Sequence, residues 1–319
     1  MQIGNSHHNY SWHEKWIQSP NTESAREGWA HHGIVVSNKT GNIITFHQGE
    51  PKVLIYSEYG ELIDSWDTNL QNAHGMTLVE EGSDEFLWMS DNLSGKVIKV
   101  SVQGEETMAI NKPDISLYDA NQKYSPTDVK VFQEVNGGTD QIIVADGYGS
   151  SLINFYDKNG NYEGTITGEE GEGGHFATPH GLWIDTRKTE PELYIADRSN
   201  SQIQVYSPTG IFKRNFGSGP GANWLHSPSG FASWDQYLIV AELRGSRITM
   251  LDIDDKPVAY LGENTGAFKL NSGWPNVPHS TLIPGKFSSP HGIATDKNGN
   301  IFVAEWLIGG RINKLTRTS

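Results

Sequence analysis

One unit recurs six times along this chain of 319 residues, and that repeat limits the fold more than any other feature. Each copy opens on a short apolar run beginning at Gly or Asp: GIVV from Gly33, GMTLV from Gly75, DVKVF from Asp128, GLWID from Gly181, GFASW from Gly230 and GIATD from Gly292. The openings lie 42, 53, 53, 49 and 62 residues apart. A second run follows and ends on an acidic or polar residue, in turn His47, Asp91, Asp146, Asp197, Glu242 and Glu305. A third run comes next, usually with a Gly-containing turn and a fourth run after it. The runs are short and rich in β-branched and aromatic residues, which is the composition of strands. Four antiparallel strands, six times over, predict an all-β fold: a six-bladed β-propeller of four-stranded antiparallel blades, forming a single domain over residues 1–319.

The sixth unit stops after RINKLT with three runs, which would leave an open sheet edge and its aggregation hazard. The segment NYSWHEKWIQ, residues 9–18, has the aromatic content to close the last blade as an N-terminal strand, and is predicted to do so. The longest interruption, from about Gly262 to Phe287, carries Phe268 and Trp274 among several Gly and Pro. A connection of that length on a compact scaffold reads as a lid or binding rim, with a functionless surface excursion as the alternative.

Composition narrows the chemistry. Twenty-four Lys and Arg against 38 Asp and Glu give a net charge of −14, which disfavours nucleic acid or an anionic membrane as partner. No stretch approaches the roughly 20 apolar residues of a membrane helix. The start, MQIGNSHHNYSWHEK, lacks the apolar core of a secretory signal. A cytoplasmic monomer is expected of the chain as written, or a secreted or periplasmic one if a signal was removed. With no Cys at all, disulfides, Cys-ligated metals and a Cys nucleophile are excluded, so any metal must sit on His, carboxylate or backbone oxygen.

The residue before each opening run would face a propeller's channel at one end. Here these residues are His32, His74, Thr127, His180, Ser229 and His291, so four of six are His. Copying of an ancestral repeat explains the recurrence but not the loss at Thr127 and Ser229. Converging imidazoles repel when protonated and are stabilised neutral by a divalent cation. Three His with an open fourth position suit catalytic zinc, although imidazole also accepts iron and other metals.

The segments FHQGE (Phe46 to Glu50), HGM at His74, PTDV with ADGYGSSLINFYDKNG (Pro126 to Gly160), HFATPHGLWI with IADRSNSQIQVY, and FSSPHGIATDKNGNIFVAE resemble peptidyl-α-hydroxyglycine α-amidating lyase, within the NHL-repeat six-bladed propellers. The resemblance covers roughly Gly33 to Leu315. It implies a zinc held by His74, His180 and His291, a proton-transfer role for Tyr148 of the DGY motif, and Arg198 of the ADR motif beside it as charge stabiliser. The pairing is chemically reasonable, because a phenol is a poor base at neutral pH unless a guanidinium and a metal favour its anion. Read without the resemblance, Tyr148 would be a packing aromatic and Arg198 a rim salt bridge.

Four departures from the family stand out. Gln48 replaces the Arg that clamps a substrate carboxylate there, and a neutral amide cannot make that bidentate bond. Gly292 replaces the Asp of the family's structural calcium site, leaving that calcium without its ligand. His32 adds a fourth imidazole, and the bracing Cys are absent. Around the expected mouth lie Trp29, Trp224, Trp274 and Trp306 with Glu242, Arg244 and Glu305, an aromatic and polar set suited to a small organic or peptide-like ligand. His32, Gln48, Glu242, Arg244 and Trp306 are the substrate-binding candidates, with packing as the alternative role of any one Trp. The first functional reading is a metal-dependent lyase or hydrolase. A four-His iron oxygenase using His32 and a non-catalytic NHL-type binding propeller are its alternatives.

Overall fold

The computed structural model describes residues 1–17, 19–30, 33–118, 122–133, 140–218, 223–270 and 272–318. It contains six antiparallel blades of a β-propeller, five of them built of four strands consecutive in sequence and the sixth sharing strands from both ends of the chain. Their inner strands are Ile34–Val36, Ala73–Glu81, Asp128–Phe132, Pro179–Asp185, Pro228–Trp234 and Pro290–Thr295. The second strands end on the six residues named from sequence, His47, Asp91, Asp146, Asp197, Glu242 and Glu305.

Burial explains why the middle strands read as unbroken apolar runs. Blade faces cover both sides of strands such as Ile43–His47 and Gln202–Tyr206, so every residue in them is buried. The outer strand Leu62–Asp67 is almost wholly exposed, which is why fourth runs are the least regular in sequence.

The chain forms two compact units. Residues 70–228 carry the second, third and fourth blades. Their cores are layers between consecutive sheets: Trp88, Val97, Val129 and Ile142 in one, Ile143, Ile153, Leu182 and Ile195 in the next. Residues 1–69 with 229–319 carry the fifth, sixth and first blades, with Ile239, Ile248, Val303 and Leu315 in one layer and Ile34, Ile43, Phe302 and Ile312 in the other.

The last blade is closed as expected. Asn9–Ile17 pairs antiparallel with Arg311–Arg317, Trp12 standing opposite Leu315. Gln18, the end of the predicted strand, lies outside the described residues. Sequence reasoning missed an additional strand, Gln2–Gly4, on the far edge, which makes this sheet five-stranded. Trp12 packs on Phe287 at 4.6 Å, and the buried Arg311 donates to Glu305, to Glu14 at 3.2 Å and to the Lys286 carbonyl at 3.0 Å. Blade, closing strand and long connection are thereby tied together.

That connection, residues 262–287, holds a short helix at Ala267–Leu270 and a 3₁₀ turn at His279–Thr281. With residues 19–26 and 308–309 it lines a cavity of about 560 Å³. No helix among the described residues is long and apolar enough to cross a membrane.

Candidate functional site

Each of the three expected ligands sits where its inner strand leaves regular register. Ala73 faces Asp91, and the next pair, Met76 with Met89, has one extra residue on the inner strand. The same slip separates Pro179 opposite Asp197 from Leu182 opposite Ile195, and Pro290 opposite Glu305 from Gly292 opposite Ala304. A bulge of one residue re-aims a side chain, and here the residue involved is His74, His180 or His291. All three are buried.

The carboxylates opposite these bulges hold the incoming chain. Asp91 accepts from the amides of Gln71 at 2.7 Å and Asn72 at 3.1 Å. Asp197 accepts from the Ala177 amide at 2.8 Å and from Asn200, Gln202 and Gln204. Glu305 accepts from the amides of Ser288 and Ser289 at 2.7 and 3.1 Å. In the third blade Asp146 takes the Ser125 and Ser150 amides at 2.6 and 2.7 Å and the Tyr118 hydroxyl at 3.0 Å. Burial pushes the Asp146 carboxyl up to about 6, against the pull of those donors.

Within residues 70–228 four of the expected site residues come together. The Tyr148 hydroxyl lies 3.0 Å from His180 Nε2, and Arg198 Nη1 donates to the same oxygen at 3.1 Å. A guanidinium only donates, so the phenol oxygen accepts from Arg198 and shares a single proton with the His180 nitrogen. The His74 ring stands edge-on to both, its centroid 4.7 Å from that of His180 and 5.1 Å from that of Tyr148. His74 Nδ1 lies 2.7 Å from the Thr127 carbonyl. A carbonyl can only accept, so the proton is on Nδ1 and Nε2 carries the lone pair, the usual tautomer of a metal-binding imidazole.

Glycine allows this closeness. A Cβ on Gly147, just before Tyr148, would lie 2.2 Å from the Pro179 carbonyl, and one on Gly75 would lie 2.5 Å from the Asp128 Cα. Only a residue without a side chain fits either place.

Thr127 and Ser229, where the repeat lacks His, hold the next blade in position. Thr127 Oγ1 donates to the Pro179 carbonyl at 3.0 Å, immediately before His180. Ser229 Oγ lies 3.2 Å from the Pro290 carbonyl, immediately before His291. Asp128 adds a bond from the Leu182 amide at 2.8 Å. Sequence reasoning missed these roles, although a hydroxyl in place of His at alternate repeats was the visible signal.

The remaining candidates lie in residues 1–69 and 229–319, apart from His32, which lies outside the described residues. Gln48 sits in the turn after the second strand of the first blade. Glu242 is fully buried, with Arg247 Nε donating at 2.9 Å and the Thr249 hydroxyl bonding the same oxygen. Trp306 packs with Trp29 at 5.5 Å and Trp274 at 6.2 Å, and Arg244 lies over Phe268, 5.3 Å from the ring centroid. Trp224, also named for the mouth, lies in residues 70–228 and stacks on Phe216.

No family model matches the chain. Its sequence is 24% identical over 286 residues to human NHL repeat-containing protein 3, covering 85% of this chain and 75% of that one. It is 27% identical over 216 residues to the probable peptidyl-α-hydroxyglycine α-amidating lyase pgal-1 of Caenorhabditis elegans, covering 56% of this chain and 59% of the relative. A streptogramin B lyase structure superposes with a TM-score of 0.63 at 17% identity, over 97% of this chain and 98% of the other. The two sequence relatives carry the same pair of resemblances as the motifs, an NHL-repeat propeller and an amidating lyase. The superposition shows the propeller fold.

Proposed function

We propose that this protein is a metal-dependent lyase acting on a small organic or peptide-like substrate, with Tyr148 as the group that moves the proton. One observation carries the reading: a phenol oxygen bonded at once to an imidazole and a guanidinium, at 3.0 and 3.1 Å. The likeness to the nematode lyase supports it. So does the proposed ligand set: His74 and His180 stand with ring centroids 4.7 Å apart, and His291 occupies the same place in the sixth repeat. Neutral imidazoles in a Cys-free chain fit zinc, with iron as the other candidate.

A divalent metal bound there would supply Lewis-acid polarisation of a substrate oxygen. The chain's own groups do the rest. Tyr148, once its own proton has passed to solvent, receives the proton of a substrate hydroxyl, and Arg198 offsets the negative charge on the phenol oxygen while that proton is away. For an N-acyl-α-hydroxyglycine, the hydroxyl proton leaves and a C=O bond forms as the C–N bond breaks. The electron pair goes to the amide nitrogen, which is then protonated, releasing an amide and glyoxylate without consuming water. Thr127 and Asp91 act as positioning residues, through His180 and His74.

Protein purified without added metal is expected to hold about one equivalent, identified by elemental analysis and lost in His180→Ala. Tyr148→Phe should retain the metal and lower glyoxylate release from an N-acyl-α-hydroxyglycine by about 10²–10⁴-fold. Metal-free protein overturns the reading. It would favour the second reading, a non-catalytic binding propeller, which draws on the wider coverage by the human NHL-repeat relative.

A further inference from the structure

The aromatic residues of residues 1–69 and 229–319 form a connected wall built onto the segment leading into His291. Phe268 packs edge-on to Trp274 at 5.4 Å, Trp274 to Trp306 at 6.2 Å, and Trp306 lies against Trp29 at 5.5 Å. Trp29 is 37% exposed, and neither Trp274 nor Trp306 is fully buried. These large apolar faces are therefore open to water at a cost the fold does not require.

The wall is pinned at two residues. The Ser288 carbonyl accepts from Trp274 Nε1 at 3.1 Å and from Ser246 Oγ at 2.7 Å, which fixes the turn bearing Arg244. The Trp306 amide donates to the Ser289 carbonyl at 2.9 Å, and Ser289 Oγ donates back to the Trp306 carbonyl at 2.7 Å. Pro290 and His291 follow directly.

At one end of the wall Arg244 is exposed, over the Phe268 ring. The neighbouring carboxylates are taken by a different residue: Arg247 bonds Glu242 at 2.9 Å and Glu263 at 2.7 Å. Among the described residues no carboxylate lies within ion-pair distance of Arg244. In a chain of net charge −14, a guanidinium clear of carboxylates is a local exception to the field that disfavours anions. A guanidinium set on an aromatic face suits a carboxylate at one end of an apolar body.

We propose that Trp29, Trp274, Trp306 and Phe268, with Arg244, form a site that binds an organic carboxylate with an aromatic or bulky apolar body, the carboxylate on Arg244 and the body against the indoles. Calling that ligand a substrate would rest on the lyase reading.

The test is tryptophan fluorescence of the intact protein titrated with N-acetylphenylalanine, its neutral carboxamide and N-acetylalanine. The expected result is saturable binding of the phenylalanine acid, about tenfold tighter than the carboxamide and the alanine analogue. Arg244→Gln, a change at an exposed side chain, should bring the acid to the carboxamide's affinity and leave the carboxamide unchanged. Trp306→Ala should weaken both phenylalanine compounds about tenfold. Equal affinity of acid and carboxamide in the unaltered protein, a phenylalanine acid no tighter than the alanine analogue, or no saturable change overturns the proposal. Binding requires neither metal nor turnover, so repeating the titration in His180→Ala separates failure of this subsite from failure of the lyase reading.

Discussion

Single side chains decide how the catalytic candidates are held, and the two hydroxyl positions are the clearest case. Thr127 is buried and bonds the carbonyl that precedes His180, so Thr127→Val leaves that carbonyl short of a partner. A loss of about 1–2 kcal/mol is expected in urea unfolding, with weakened metal retention, and Thr127→Ser should restore both. Asp146 makes a different prediction. Its carboxyl is raised to about 6 by burial, so the folded state binds a proton more tightly than the unfolded chain. Stability from this group is present below pH 4 and is lost as pH rises through about 6. Asp146→Asn should therefore gain on the unaltered protein by about 2–3 kcal/mol between pH 4 and pH 7, measured by urea unfolding at each pH. A difference that does not change with pH would refute the assignment.

Residue types and repeat register made part of this legible. His74, His180 and His291 could be singled out because they occupy the same place in three copies of one unit. The role of Glu242 was not found, because a carboxylate ending a strand looks the same whether it faces ligand or protein. Its partner Arg247 stands directly opposite across the hairpin, as Arg311 does to Glu305, and an Arg opening the third run of both blades was the available clue.

Among elements, the closing strand carries the most weight. Tyr10, Trp12 and Ile17 are buried on Asn9–Ile17, and Glu14 completes the partners of buried Arg311. Deleting residues 1–17 would open the edge of Arg311–Arg317 and leave Arg311 short of a carboxylate. The truncated chain is expected to aggregate on expression, read by size-exclusion chromatography, and Trp12→Ala in the full chain should cost about 3–5 kcal/mol. The strand was legible from its aromatic content and an incomplete sixth unit. The edge strand Gln2–Gly4 and the pairing of Trp29–Ala30 with Leu307–Ile308 were not, since three- and two-residue strands have no periodicity to read.

For the whole molecule, the sequence by itself determined the six blades, their strands, the closure of the last one and the exclusion of thiol chemistry. These follow from local patterns: apolar runs of strand length, turn residues between them, and a period that repeats them. Tertiary structure decided the rest. The bulges that turn three His out of register, the carbonyl that fixes the His74 tautomer, and the wall carried by Trp29, Trp274 and Trp306 all depend on atoms far apart in the chain. Propensity and spacing act over a few residues, whereas a hydrogen bond from Thr127 to Pro179 exists only once two blades have packed.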